Sequence, residues 1–530
     1  MDTFASKHAD TPHLRTTARK WVLIVLVACS LIASATYFNG RSTQAAKAVS
    51  KYDWLQFSMD EEKSGDDTLE TTISLANVGT LKPLFKVALP SSPDGAPVLL
   101  TNVKTASGVV RDLVFVTTER GHLIAMDAHT GVQVWSKFFN VGTGLTNSAP
   151  AIDPNRKYIY SAGVEDGKIH KVNVADGTEV IGGGWPELIG PAGIKASSEL
   201  AIATAKDGVS YLYASQAYGK GHETVIDLGT GTKHVFNTVC ANQPDILFGT
   251  PGAPNNCTLS GAEPWSRPGA VYDPALDKTF VTTGTYTQFQ AGIDWVQSLL
   301  ALPPDGHTVL KNGGGYPLDS YTPTDWKASV ASDSDIGSTN ITILPTNPKS
   351  KYPNLGVSGG KDAKLRLYNL ANLSGKGGPG NLGGQLSIIN APQGGLIRSK
   401  GASWVNPKDG SIWLFVPGDK GIAGIQYVVD SAGNPSLVTR WVIKNGWTTS
   451  AIVANGVLFA AVGGGEHTAT TATHTLQAIN PTTGAIVWSA PIGQFHWASP
   501  IVANGVLYMP DGNAGEPFEN ATGHLNAWTL

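Results

Sequence analysis

Residues 121–135, 167–180 and 475–488 are three copies of one module, and a chain that repeats so small a unit buries its apolar faces by stacking the copies. In each copy an alternating strand leads to Asp127, Asn173 or Asn480. A glycine follows four residues later, at Gly131, Gly177 or Gly484, and then comes a second strand. The Asx side chain accepts N–H bonds in the turn, while glycine supplies the positive φ that a short bulged hairpin requires. The module is an antiparallel hairpin.

Upstream of each hairpin lies another pair of strand signals, as in residues 148–154 followed by 158–163, or the run 499–508. Four short strands per unit make a propeller blade. The same grammar predicts eight units, starting near Pro97, Ser148, Ser198, Gly269, Thr339, Gly401, Ser450 and Ser499. The third and fifth units are the least regular. Residues 523–528 match the third strand of the module and the sequence then stops, one strand short. Residues 81–89 supply a substitute, with Phe85 where Trp135 falls in the module, so the first strand is expected to complete the last blade. Closure of this kind leaves no exposed sheet edge. Trp135, Trp488 and Phe85 are expected to pack between blades. The predicted fold is all-β: an eight-bladed propeller of four-stranded antiparallel blades over residues 53–530, preceded by one N-terminal hydrophobic helix.

That helix is predicted from residues 21–38, an uncharged run preceded by Arg15, Arg19 and Lys20. Basic residues before an apolar stretch mark a secretion signal or a signal anchor, with residues 1–20 left in the cytoplasm and 39–52 as a linker. Ala33-Ser34-Ala35 offers a cleavage site, and the run is also nearly long enough to span a bilayer, so cleaved and anchored forms both remain open. Either form puts the propeller outside the cytoplasm, at the cell surface, in a periplasm or secreted. Cys29 lies inside the run, which leaves Cys240 and Cys257 as the disulfide pair expected in an oxidising compartment. No Cys-x-x-Cys-His occurs, which excludes covalent c-type haem. A net charge of −3 with 15% charged residues gives no basic footprint for nucleic acid.

The repeats, together with residues 54–57 and 77–81, resemble the pyrroloquinoline-quinone (PQQ) repeat superfamily, which includes quinoprotein alcohol dehydrogenases and non-catalytic propellers. In the dehydrogenase branch the resemblance implies PQQ on the propeller axis, stacked on a Trp floor and coordinated to Ca²⁺ through carboxylate and Asn oxygens. An Asp base would then deprotonate the alcohol while the metal polarises the quinone. Residues 265–274 and 280–285 are similar to the segment that carries the floor Trp and the Ca²⁺-binding Asn. Here the Asn position holds Thr285, the floor position holds Arg267, and Trp265 is displaced by two residues. Asp333 and Asp335 lie where the resemblance places the catalytic base, and Lys361 where it places the cation that touches the quinone. The bland reading of the two aspartates is that they cap turn amides. The adjacent cysteine pair of many dehydrogenases is absent.

Residues 463–467 and 495–497 bring histidines near strand ends without metal-ligand spacing, and they read as hydrogen-bonded loop residues. Two functions follow. The first is an extracytoplasmic binding or scaffold propeller, degenerate relative to quinoproteins, whose partner is a protein, peptide or glycan and whose N-terminal segment meets the membrane. The alternative is a PQQ-dependent alcohol or sugar dehydrogenase with a variant metal site, using PQQ and Ca²⁺.

Overall fold

The computed structural model describes residues 51–464, 473–512 and 522–530. The predicted hydrophobic helix at 21–38, the division of residues 1–50 and His467 lie outside the described residues. Eight sheets of antiparallel blade strands follow one another along the chain, the seventh extended by Asp66–Asp67 in parallel beside Ile452–Ala454. Their innermost strands begin at Val98, Ala151, Ala201, Val271, Thr342, Ala402, Ile452 and Ile501, each within three residues of the predicted unit start. In the eighth sheet the order from outside to inside is Lys82–Leu89, Gly523–Thr529, Val506–Asp511 and Ile501–Ala503. The first blade strand therefore closes the ring.

Register explains why this strand fits. Trp135 faces Ala125 and Trp488 faces Ala478 in their hairpins, and Phe85 faces Ala527 in the closing pair. The aromatic position of the module is thus occupied in the mixed blade as well. Its purpose is contact with the next blade. A Cβ on Gly177 would come within 2.8 Å of the Trp135 ring, and one on Gly131 within 2.9 Å of the Phe85 ring. The turn glycine therefore meets two demands at once, a positive φ of 73° at Gly177 and room for the preceding blade's aromatic. Trp135 also donates its indole N–H to Val174 O at 2.9 Å. Trp441 of the sixth blade repeats the arrangement against Gly484 and Pro481 O.

Irregularities lie in the middle of the chain. The fourth sheet is interrupted by a small hairpin, Val309–Lys311 with Gly314–Tyr316, and a short helix, Trp326–Ala331, precedes the fifth. Cys240 and Cys257, before the fourth sheet, are joined with a Cα–Cα distance of 5.9 Å and pack with Val239, Phe248 and Val296. They close a loop with a sequence separation of 17. Replacing both with serine is expected to lower the unfolding free energy by about 3 kcal/mol through the freed unfolded chain. The measurement is the denaturant midpoint without reductant, and dithiothreitol should bring the parent protein down to the same value.

The segment before the closing strand does something the repeats do not foretell. It visits seven blades in chain order at the far ends of their innermost strands. Trp54 exchanges backbone bonds with Leu99, Ile152 N–H donates to Leu55 O, and Gln56 pairs with both backbone groups of Ile202. Tyr272, Ser403 and Val453 then donate to Glu61, Ser64 and Gly65 carbonyls, and Gly505 N–H reaches the Glu70 carboxylate. Trp54, Phe57 and Lys63 are fully buried by this path. It floors the axis at one end.

Candidate functional site

The opposite end of the axis is open. There the loops that precede the innermost strands, and the turns that follow the second strands, converge around a cavity of about 250 Å³. Trp265, Thr285, Asp333, Asp335 and Lys361 all line it, although they come from four separate stretches of sequence. Thr285 Oγ1 donates to Asp333 Oδ1 at 3.2 Å. Lys361 Nζ stands 3.0 Å from Asp335 Oδ2 and 3.2 Å from Asp333 Oδ2, and 4.8 Å from the centre of the Trp265 ring. The turn-capping reading of Asp335 does not hold, because its Oδ2 pairs with Lys361 and its Oδ1 takes no turn amide, while Ile336 N–H bonds Gln297 instead.

Electrostatics at this pair are set by burial. Desolvation pushes the Asp335 carboxyl up to about 6, with Lys361 opposing it. Lys361 itself is held above its ordinary range, since the two carboxylates outweigh its own burial. Asp335 is therefore ionised at neutral pH but titrates close to it.

Arg267 requires a correction to the quinone-floor assignment. It does not line the cavity but lies fully buried beside it, with its guanidinium carbon 4.3 Å from the centre of the Trp497 ring. It forms an ion pair with Glu199, donates to Asn147 O at 2.9 Å and stands 3.9 Å from Asp94 Oδ2. Asp94 also accepts from Trp497 N–H at 2.7 Å and from His496 Nδ1 at 3.0 Å. These residues lie before the innermost strands of blades eight, one, two, three and four, so one guanidinium ties together five of the eight blades. His496, read from sequence as a loop histidine, is buried in this network and stacks on Trp497 at 3.9 Å.

Several cavity residues have no sequence signature of their own. Ser197, Arg398 and Trp497 precede innermost strands, as Asp335 does, while Tyr218 and Tyr286 follow second strands, as Lys361 nearly does. Aligning the eight units by those two positions, rather than by their hairpins, would have gathered them.

The chain's relatives can be set against this geometry. A family model described as outer membrane protein assembly factor BamB matches residues 91–234 and 427–529. Among solved structures, the quinohemoprotein alcohol dehydrogenase of Comamonas testosteroni aligns at 15% identity and a TM-score of 0.60, covering 90% of this chain and 80% of that one. The two matched segments are similar to PQQ-type repeats, and the ring as a whole shares the propeller fold. A second quinohemoprotein alcohol dehydrogenase, ADHIIG of Pseudomonas putida HK5, aligns with this chain at 13% and 0.61, over 90% of this chain and 80% of that one. A europium-containing methanol dehydrogenase aligns at 13% and 0.62, over 90% and 98%. At these identities the likeness is one of fold. Comparison with curated proteins gives no match.

The groups that the PQQ-type fold implies can be tested against the side chains present. A metal does not fit. Lys361 holds both axial aspartates, Arg267 holds Glu199 beside Asp94, and Thr285 donates rather than offering an amide oxygen. Among the described residues no group of three or more His, Cys, Asp or Glu side chains is disposed to bind a metal ion. The cavity, about 250 Å³, is slightly below the range of about 300–1,000 Å³ usual for drug-sized ligands.

Proposed function

We propose that this PQQ-type propeller is an extracytoplasmic binding protein, catalytically degenerate relative to quinoproteins, whose axial cavity holds a small ligand. One observation carries the reading: the chain's own Lys361 occupies both aspartates of the axial cavity, and Arg267 occupies the buried Glu199 beside it, so the carboxylates a bound metal would need are taken. Placement outside the cytoplasm is supported by the basic-then-apolar start of the sequence and by the Cys240–Cys257 disulfide.

A quinone-dependent dehydrogenase is the second reading, and one feature favours it. Asp335, pushed up to about 6 by burial, has the protonation behaviour of a general base working near neutral pH. The deciding measurement is a PQQ titration of the purified protein with and without Ca²⁺, followed by the fluorescence of its 14 tryptophans. The expected result is no Ca²⁺-dependent quenching at tens of micromolar PQQ. Saturable Ca²⁺-dependent quenching, weakened in both Asp335→Ala and Lys361→Ala, would replace the binding reading with the enzymatic one.

A further inference from the structure

The segment that floors the axis leaves one blade uncovered. In six blades the second residue of the innermost strand, Leu99, Ile152, Ile202, Tyr272, Ser403 or Val453, donates its N–H to this segment and is buried beneath it. Ile343 holds that place in blade five. No described residue of the segment accepts from it, and it is only half-buried. A cavity of about 390 Å³ opens there, walled by the segment and by residues of blades four, five and six. Its size is within the range of about 300–1,000 Å³ usual for ligand sites.

Asp60, Glu62, Asp66 and Asp273 line this cavity, and no described lysine, arginine or histidine does. Two of the four cap turns. Asp60 accepts from the N–H and hydroxyl of Ser64, and Asp273 accepts from the N–H groups of Ala275 and Leu276. Glu62 and Asp66 are half-buried and accept no hydrogen bond from the described residues. Burial, with Asp60, Asp273 and Glu61 around Glu62 and with Asp60 and Asp67 around Asp66, pushes each of the two up to about 7. The nearest lysines do not neutralise them. Lys63 and Lys400 are fully buried, act on Asp60, and donate to Gln56 and Thr342. A second observation is independent of this charge. Ser403 lines the same cavity, is 3% exposed, and its hydroxyl has no hydrogen-bond partner among the described residues, although buried hydroxyls are ordinarily paired.

The occupant that meets these groups is a cation with N–H donors. A metal ion does not suit, since no group of three or more His, Cys, Asp or Glu side chains among the described residues is disposed to bind one. An ammonium is compact and carries three donors for carboxylate and hydroxyl oxygens. Ile343, Pro345 and Pro353 offer an apolar wall for the carbons attached to it. We propose that the cavity at blade five binds a linear alkylammonium, its nitrogen among Glu62, Asp66 and the Ser403 hydroxyl and its carbon chain along Ile343, Pro345 and Pro353. The site shares no lining residue with the axial cavity and is independent of what that cavity holds.

Isothermal titration calorimetry of the purified protein compares putrescine, spermidine and Nα-acetyl-lysine amide with butanediol and Ca²⁺. Salt at about 0.15 M, where screening sets in within about 8 Å, quiets the exposed charges. At least one amine is expected to saturate a single site at about pH 8 and to bind tenfold or more weakly at about pH 6. Glu62 and Asp66 lose charge as the pH falls through about 7, and Lys63 and Lys400, lowered to about 7 by burial, gain charge over the same range, while the amines stay protonated. Glu62→Gln combined with Asp66→Asn should weaken binding about tenfold or more without lowering the melting temperature of the free protein, because each lost charge is one its neighbours repel. Ser403→Ala should weaken it severalfold. Binding of the polyamines alone identifies a free polyamine as ligand, and equal binding of acetyl-lysine amide extends the site to a lysine side chain. Ca²⁺ or butanediol binding as tightly as the amines overturns the proposal. So does undiminished binding in the double variant, or silence from every amine at about 10 mM, where millimolar affinities register. The reading of the axial cavity survives each of these failures, since its PQQ titration concerns other residues.

Discussion

Replacing Arg267 with methionine is expected to destabilise the ring by about 3–5 kcal/mol, the usual cost of leaving a buried charge without its partner. Methionine keeps most of the length and apolar stem of the side chain, so the loss is one of charge and hydrogen bonds. Glu199 and Asp94 would be left fully buried without their guanidinium. Burial already holds Glu199 above its ordinary range, with Arg267 opposing, whereas the combined pull of His496 and Arg267 outweighs burial at Asp94 and holds it low. Glu199 can therefore escape by taking a proton, but Asp94 is the harder charge to strand. The unfolding half-life at fixed temperature is the measurement, since a chain of this size need not unfold reversibly. Arg267→Met combined with Glu199→Gln should recover part of the loss. Equal stability of parent and Arg267→Met would show that the network contributes shape without energy.

A loss of similar size, about 3–5 kcal/mol, is expected from Trp54→Ala, for a different reason. Trp54 is completely buried in the segment that floors the axis, packed in one core with Phe57, Ile73, Val78 and the inner strands of blades one, seven and eight. Its indole N–H has no partner, so truncation removes packing and orphans nothing. Because the backbone bonds between Trp54 and Leu99 do not depend on the side chain, the segment should stay docked in a loosened form. Limited proteolysis checks this. Cleavage confined to residues 51–74, at a rate well above that of the parent, is the expected pattern, and unchanged resistance would mean that the floor is held by its hydrogen bonds alone.

The ring was readable from the chain because its signals are local and repeated. An Asx four residues before Gly131, Gly177 or Gly484 is a turn that must form wherever it occurs, and the alternation on either side fixes which face goes inward. Phe85 was placed correctly because register carries it to the same partner position as Trp135. The axial cavity was half readable. Trp265, Thr285, Asp333, Asp335 and Lys361 were reached through the family likeness, and they do share one wall. What could not be read is what no period describes. Asp94, Glu199 and Arg267 stand at three different blade junctions, and nothing in their spacing announces a shared ion cluster. Likewise, residues 52–73 carry no repeat, since their structure is dictated by the ring they line and not by their own pattern.

That floor decides what kind of vessel the ring is. With residues 52–73 laid against seven of the eight blades at one end, the axis is a cup and not a pipe. Traffic must come and go by the same door. A polymer can be gripped by its tip but never threaded, and an occupant cannot be pushed out from behind by the next arrival. Exchange is then paced by departure alone, so a competitor added in excess should leave the dissociation rate untouched, and the occupied lifetime becomes a fixed property of the site.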